Sequence, residues 1–187
     1  MCGVSNSLHA QGAVRSRAPY AEQMEFTVRA VVEADWREVK ALRLEMLRDT
    51  PIAYLETLDS ALAEPDATWQ VRAARPALDG SLRIAAIDGS GRWIGTMGGI
   101  IDRHHGPMLV GVYVTPRARG RQGVLDAMLT QVEQWAAQRG TTLRLGVHED
   151  NRRAIAAYEK RGFIETGQWV PYPLDPGGRE LEMLKRV

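Results

Sequence analysis

The sequence predicts an α+β fold, a mixed and mostly antiparallel sheet flanked by helices. Three observations predict it. Across residues 110–129 the apolar period changes: Val110, Val112 and Val114 recur every second position, as in a strand with one face buried. Val124, Leu125, Met128, Leu129, Val132, Trp135 and Ala136 then recur at helical spacing. Residues 81–87 and 93–101 are strand-like runs joined by the glycine-rich turn D-G-S-G-R, which marks a hairpin. Further strand-like runs lie at 25–32, 142–147, 163–170 and 181–185.

Composition narrows the function classes. A chain of 187 residues, 44% apolar and 25% charged, fits one globular domain with a full core. A formal net charge of +1 argues against a general nucleic-acid binder, which would carry a strong basic excess. Cys2 is the only cysteine, so an internal disulfide and a thiolate metal cluster are both excluded, and a cytoplasmic setting is expected. Residues 1–23 hold no sustained apolar run, so they supply neither a signal segment nor a membrane span and read as a mobile tail before a domain at 24–187. Met24 is either the true start or the end of a leader.

After the first strand, Asp35 and Glu38 have capping-box spacing, and Trp36, Val39, Leu42, Met46 and Leu47 form an apolar stripe. That helix should stop near Asp49, ahead of Pro51. A less regular helical region spans 55–74, interrupted by Pro65, with Trp69 in the core. The turn D-R-H-H-G-P presents His104 and His105, but adjacent side chains diverge and no Cys or spaced carboxylate set joins them. They read as a polar loop, and no metal is expected.

Pro116 ends the central strand because it has no N–H. Gly120 and Gly123 would let backbone amides approach a ligand at the start of the next helix, where free N–H groups and the helix dipole favour an anion; Arg117, Arg119 and Arg121 add positive charge. Neither the P-loop nor the dinucleotide fingerprint fits the spacing. Arg139 and Gly140 stop that helix, and Leu143, Leu145 and Val147 share one face of the following strand. Asn151, Ala154 and Tyr158 then fall on one helical face, with Gly162 placed to end it. By themselves, Asn151 reads as a helix cap and Tyr158 as a core aromatic.

Two motifs taken together say more. V-x-V-x-P followed by R-G-R-Q-G and an amphipathic helix, and then V-x-x-x-N-x-x-A-x-x-x-Y-E-K-x-G-F, resemble the signatures of the GCN5-related N-acetyltransferases in the right order. The resemblance spans about residues 24–187 and implies that family's fold, with acetyl-CoA as co-substrate. It implies that the central strand splays from its neighbour, that backbone groups of Val112 and Val114, with Tyr113 between them, receive the pantetheine arm, and that the N–H near Val114 polarises the thioester carbonyl. Arg119, Gly120, Arg121, Gln122, Gly123 and Val124 would hold the adenosine diphosphate end, and Asn151 the pantetheine. The family's loop is Gln/Arg-x-x-Gly-x-Gly/Ala, whereas this one is a residue longer, which leaves open which amides touch the diphosphate.

The implied reaction is direct attack of an acceptor amine on the thioester, with Tyr158 as the acid at the departing sulfur. Neutralising an alkylammonium at pH 7 costs about 4.6 kcal/mol, so a base, a water relay or a desolvating pocket is required. Glu149, just past a strand end, is the candidate base, or it binds the ammonium or faces solvent. By the same resemblance the acceptor borders Thr50, Ile52, Ala53, Tyr54 and Glu56. Trp169 and Tyr172 either line that pocket or pack on the surface. The acceptor would be a small-molecule or protein amine, with no nucleic-acid or membrane partner and a monomer or homodimer as the assembly. A non-catalytic acyl-CoA sensor of the same fold is the alternative, and an RNA module using the arginine loop the weaker third.

Overall fold

In the computed structural model, which describes residues 25–120 and 123–187, seven strands form one sheet. They are β1 (Phe26–Ala30), β2 (Leu82–Asp88), β3 (Trp93–Asp102), β4 (Gly106–Val114), β5 (Thr142–His148), β6 (Ile164–Pro171) and β7 (Arg179–Arg186). Their order is β1-β2-β3-β4-β5-β7-β6, and every neighbouring pair is antiparallel except β4 with β5. The α+β class is therefore observed. The expected tail 1–23, Met24, Arg121 and Gln122 lie outside the described residues.

The helices cover the two faces separately. α1 (Trp36–Asp49), α2 (Leu58–Ala63) and α3 (Asp66–Asp79) enclose one core around Leu42, Met46, Trp69 and Tyr113. α4 (Val124–Ala137) and α5 (Arg152–Glu159) enclose the other, around Met128, Val132, Leu145 and Phe163. The close fit of α4 depends on β3 lacking side chains beneath it: a Cβ on Gly99 would sit 2.5 Å from Trp135 Cζ3, and one on Gly95 would sit 2.9 Å from Met128 Cε.

Three local expectations are corrected. The Asp35–Glu38 capping box does not form, because the Asp35 carboxylate instead accepts from both ends of the Arg29 guanidinium (2.6 and 2.8 Å) and from the Val32 N–H (2.9 Å). These bonds hold Asp35 below its ordinary carboxylate pKa, the Arg29 hydrogen bond contributing most. The second helical region breaks at Pro65 as expected, but it starts only at Leu58, and α3 runs on beyond residue 74, through Pro76, to a left-handed cap at Gly80. The alternation of Val110, Val112 and Val114 is also broken. Gly111 has φ +59°, and three residues of β4 face two of β3, since Gly98 pairs with Val110 and Thr96 with Tyr113. This is a β-bulge, which shifts the phase of the strand. Leu109 before it and Val112 and Val114 after it enter the α4-side core, whereas Val110 does not.

Candidate functional site

β4 and β5 share a single register pair, Met108 with Arg144, and then part. The opening is a cleft of about 630 Å³ lined by β4 from Met108 to Val114, by β5 from Leu145 to His148, and by Ala154 and Tyr158 of α5. Tyr113 pairs with Thr96, and the Thr115 N–H donates to Ile94 O (2.9 Å). In an antiparallel ladder the intervening residues direct their backbone groups to the opposite edge, so those of Val112 and Val114 face the opening. The carbonyls on that edge are capped: Tyr54 Oη donates to Val112 O (3.1 Å) and Arg119 Nε to Val114 O (2.7 Å).

In the loop before α4, the described glycines bring backbone to the cleft, which Arg119 also lines. Gly120 (φ +79°) and Gly123 (φ +69°), the latter capping α4, both line the cleft. A Cβ at either would meet nothing within 4 Å, so glycine is required there for its left-handed backbone rather than for close approach of a neighbour. Val124 buries its side chain in the core, leaving only its main chain to the site. Arg117 is held by Asp88 (2.8 Å), and Arg119 is paired with Asp49 while lying 5.4 Å over the Tyr113 ring. The Tyr113 hydroxyl donates to Glu45 (3.1 Å).

On the opposite wall, Asn151 caps α5 by accepting from the Ala154 N–H (3.2 Å). Gly162 (φ +86°) closes the helix as expected, with the Phe163 N–H donating to Tyr158 O (3.1 Å). Tyr158 is half-buried, its ring edge-on to Phe163 at 5.6 Å, and it lines the cleft. Its hydroxyl has no hydrogen-bond partner among the described residues. Burial raises its pKa, so the phenol holds its proton firmly.

The acid–base group is the main departure from expectation. Glu149 does not line the cleft; its carboxylate accepts from Arg179 Nη2 (2.7 Å) and Nε (3.3 Å), and that pairing lowers its pKa. Glu180, across the β5–β7 ladder from His148, does line the cleft, and a Cβ on Gly146 would lie 3.2 Å from its Oε2. Burial raises the Glu180 pKa, with the nearby His148 acting in the opposite sense. His148 is buried, accepts from the Asp150 N–H at Nδ1 (3.1 Å), and is packed edge-on by Tyr172 (4.8 Å).

Tyr172 is thus not surface packing: it is 5% exposed and donates to Tyr54 O (2.8 Å). Trp169 stays 42% exposed, with Arg179 4.6 Å over its ring. Of the turn expected at the acceptor, Thr50, Ala53 and Tyr54 line the cleft, Ile52 does not, and Glu56 lies in an adjoining cavity. His104 and His105 are exposed around Asp102, which accepts from both of their N–H groups (2.8 Å each). Among the described residues no group of His, Cys, Asp and Glu is placed to hold a metal ion, and no helix is long and apolar enough to cross a membrane.

The family model described as "Acetyltransferase (GNAT) family" matches residues 42–163. No curated protein matches the sequence. Among solved structures, an acetyltransferase of the GNAT family from Streptococcus pneumoniae superposes with a TM-score of 0.72 at 19% identity, covering 87% of this chain and 99% of that one. A GNAT superfamily phosphinothricin acetyltransferase from Sinorhizobium meliloti, in complex with acetyl-CoA, gives 0.66 at 20% identity over 87% of this chain and 88% of that one. Spermidine N-acetyltransferase from Vibrio cholerae, solved with CoA and spermine, gives 0.66 at 18% identity over 86% and 95% respectively. At these identities the likeness is one of fold.

Proposed function

On the premise that this chain belongs to the acetyltransferase (GNAT) family, we propose that it transfers an acetyl group from acetyl-CoA to a primary amine by direct attack on the thioester. What supports this most is the parting of β4 from β5 after one register pair, which leaves an opening walled by Tyr158 and by strand backbone. Bound acetyl-CoA supplies the activated acyl group and a thiolate leaving group. The backbone edge at Val112 and Val114 would hold the pantetheine amides as a neighbouring strand would, and the Val114 N–H would stabilise the developing oxyanion. The main chain of Gly120, Gly123 and Val124, at the start of α4, suits a diphosphate. Asn151 caps α5 and lines the cleft, where it would border the arm.

Tyr158 would act at the sulfur. A phenol of ordinary pKa about 10 against a thiol near 8.5 makes full proton transfer uphill by about 2 kcal/mol, and burial raises the phenol further. Its role is therefore to keep its proton and donate a hydrogen bond to the departing sulfur. Glu180, in the cleft and raised by burial towards the working pH, takes the proton from the ammonium in place of Glu149.

Thiol release from acetyl-CoA across an amine panel tests the reading. Tyr158→Phe should keep acetyl-CoA affinity within a few fold and lower kcat by about 10² to 10⁴. Acetyl-CoA binding without thiol release from any amine would favour the sensor instead. If chemistry limits turnover and the Phe variant matches the parent, Tyr158 is only a core aromatic.

A further inference from the structure

A second cavity, of about 470 Å³, lies on the α1–α3 face of the sheet and adjoins the cleft at the β4 bulge, where Arg43, Leu55, Val110 and Gly111 line both. Its charged lining is four guanidiniums, of Arg43, Arg72, Arg75 and Arg83, against one carboxylate, Glu56. Glu56 is already shared, accepting from Arg43 Nε (2.7 Å) and Arg72 Nη1 (2.8 Å). Arg72 also reaches Glu64 at 3.4 Å. That leaves Arg83 and Arg75 with no ion pair among the described residues. Arg83 is the more telling of the two. It is half-buried near the start of β2, on the face that carries Ala85 and Ile87 into the core beneath α1 and α3. Burial lowers its pKa, and the charges of Arg43, Arg75 and Arg72 lower it further, against a smaller opposing effect of Glu56. Desolvating a cation among like charges is unfavourable unless an anion joins it.

We propose that the acceptor is a small-molecule amine bearing an acidic group, a carboxylate or a phosphate-type oxyanion, which Arg83 and Arg75 hold in this cavity while the amine reaches the cleft past Val110 and Gly111. This rests on the acetyltransferase reading, since it names the substrate class of that site. A cavity of this size and sign would exclude a polycationic amine, whose second ammonium would face four guanidiniums. Arg43 and Arg72, fixed by Glu56, contribute field; Arg83 and Arg75 are free to pair.

The test is kcat/KM for ω-amino acids and aminoalkylphosphonates of graded chain length, each against the alkylamine of the same length, with spermidine as the cationic comparison. At one spacer length the acidic member should exceed its neutral counterpart by about tenfold or more. Arg83→Gln should raise KM for that acceptor by about 10- to 100-fold with kcat within a few fold, Arg83→Lys should restore part of it, and acetyl-CoA affinity should not move. Arg75→Gln, at an exposed position, should act in the same direction without threatening the fold. Turnover of spermidine or alkylamines equal to that of the acids overturns the proposal and leaves acetyl transfer standing. Absence of thiol release from every amine overturns acetyl transfer instead. In that case a phosphorus NMR titration with 3-aminopropylphosphonate decides the anion site: binding weakened about tenfold by Arg83→Gln supports it, and no binding to the parent overturns it.

Discussion

Replacing Glu180 by Gln removes one proton acceptor from the cleft and little volume, and the size of the effect can be bounded. An alkylammonium of pKa about 10.4 is deprotonated in only about one molecule in 2,500 at pH 7, equivalent to about 4.6 kcal/mol. A base whose task is that deprotonation can therefore be worth up to about 2,500-fold there, within the range usual for positioned general bases. The shortfall must also shrink about tenfold for each pH unit, to about 25-fold or less at pH 9, as free amine becomes abundant. Because burial raises the Glu180 pKa, kcat/KM of the parent should rise with pH along a limb lying above the ordinary carboxylate range, as Glu180 loses its proton. The Gln variant should lack that limb and climb with unit slope towards the amine pKa. The assay is thiol release at saturating acetyl-CoA from pH 5 to 9, with a responsive acceptor. Glu149→Gln, which removes only a partly exposed ion pair with Arg179, should change kcat/KM by less than about threefold. A Glu180→Gln enzyme equal to the parent at pH 7, or a deficit constant with pH, refutes the assignment.

Three other perturbations test the scaffold. Gly123→Val forces a branched residue into a left-handed conformation and should weaken acetyl-CoA binding more than Arg117→Ala, whose guanidinium is already held by Asp88; the reverse order by calorimetry would sink the backbone model of the diphosphate site. Gly99→Ala places a methyl 2.5 Å from the Trp135 ring and should cost about 1–3 kcal/mol, lowering Tm by about 2–4 °C per kcal/mol; an unchanged Tm would mean that α4 shifts freely. Asp35→Asn should lose about 1–2 kcal/mol near neutral pH. Arg29 holds Asp35 below its ordinary value of 3.8, so the stabilisation is complete above that unfolded value and disappears as pH falls through the lower folded one. Parent and variant should therefore converge in acid, and a gap that persists at pH 2 would point to packing instead.

What could be read along the chain was whatever is local. The β2–β3 hairpin announces itself in its glycine turn, and the amphipathic stripe of α4 ends where the helix does. The bulge at Gly111 escaped because V-G-V-Y-V looks periodic, although an extra residue puts Val110 and Val112 out of step. Glu180 escaped because only the pairing of β5 with β7 brings it opposite His148. Glu149 looked suitable from its place at a strand end, which says nothing of Arg179. Tyr172 is buried because its loop folds back, its N–H donating to Gly178 O (2.9 Å) and its hydroxyl reaching Tyr54. The four arginines of the second cavity come from α1, α3 and β2, and none has a local signal that they converge.

The parting of β4 from β5 has a cost outside chemistry. It creates strand edges in the middle of a sheet, where an extended segment of a foreign or partly folded chain could dock as readily as a ligand. Protection by short length or surface lysines, usual at peripheral edges, is not available in a cleft that must admit an extended arm. Here the β4 edge is guarded by the Tyr54 hydroxyl and the Arg119 guanidinium on successive exposed carbonyls. A stray strand would have to compete with both bonds to form its own ladder. Losing either side chain should therefore show as aggregation during refolding, read by light scattering, before any deficit in the folded enzyme.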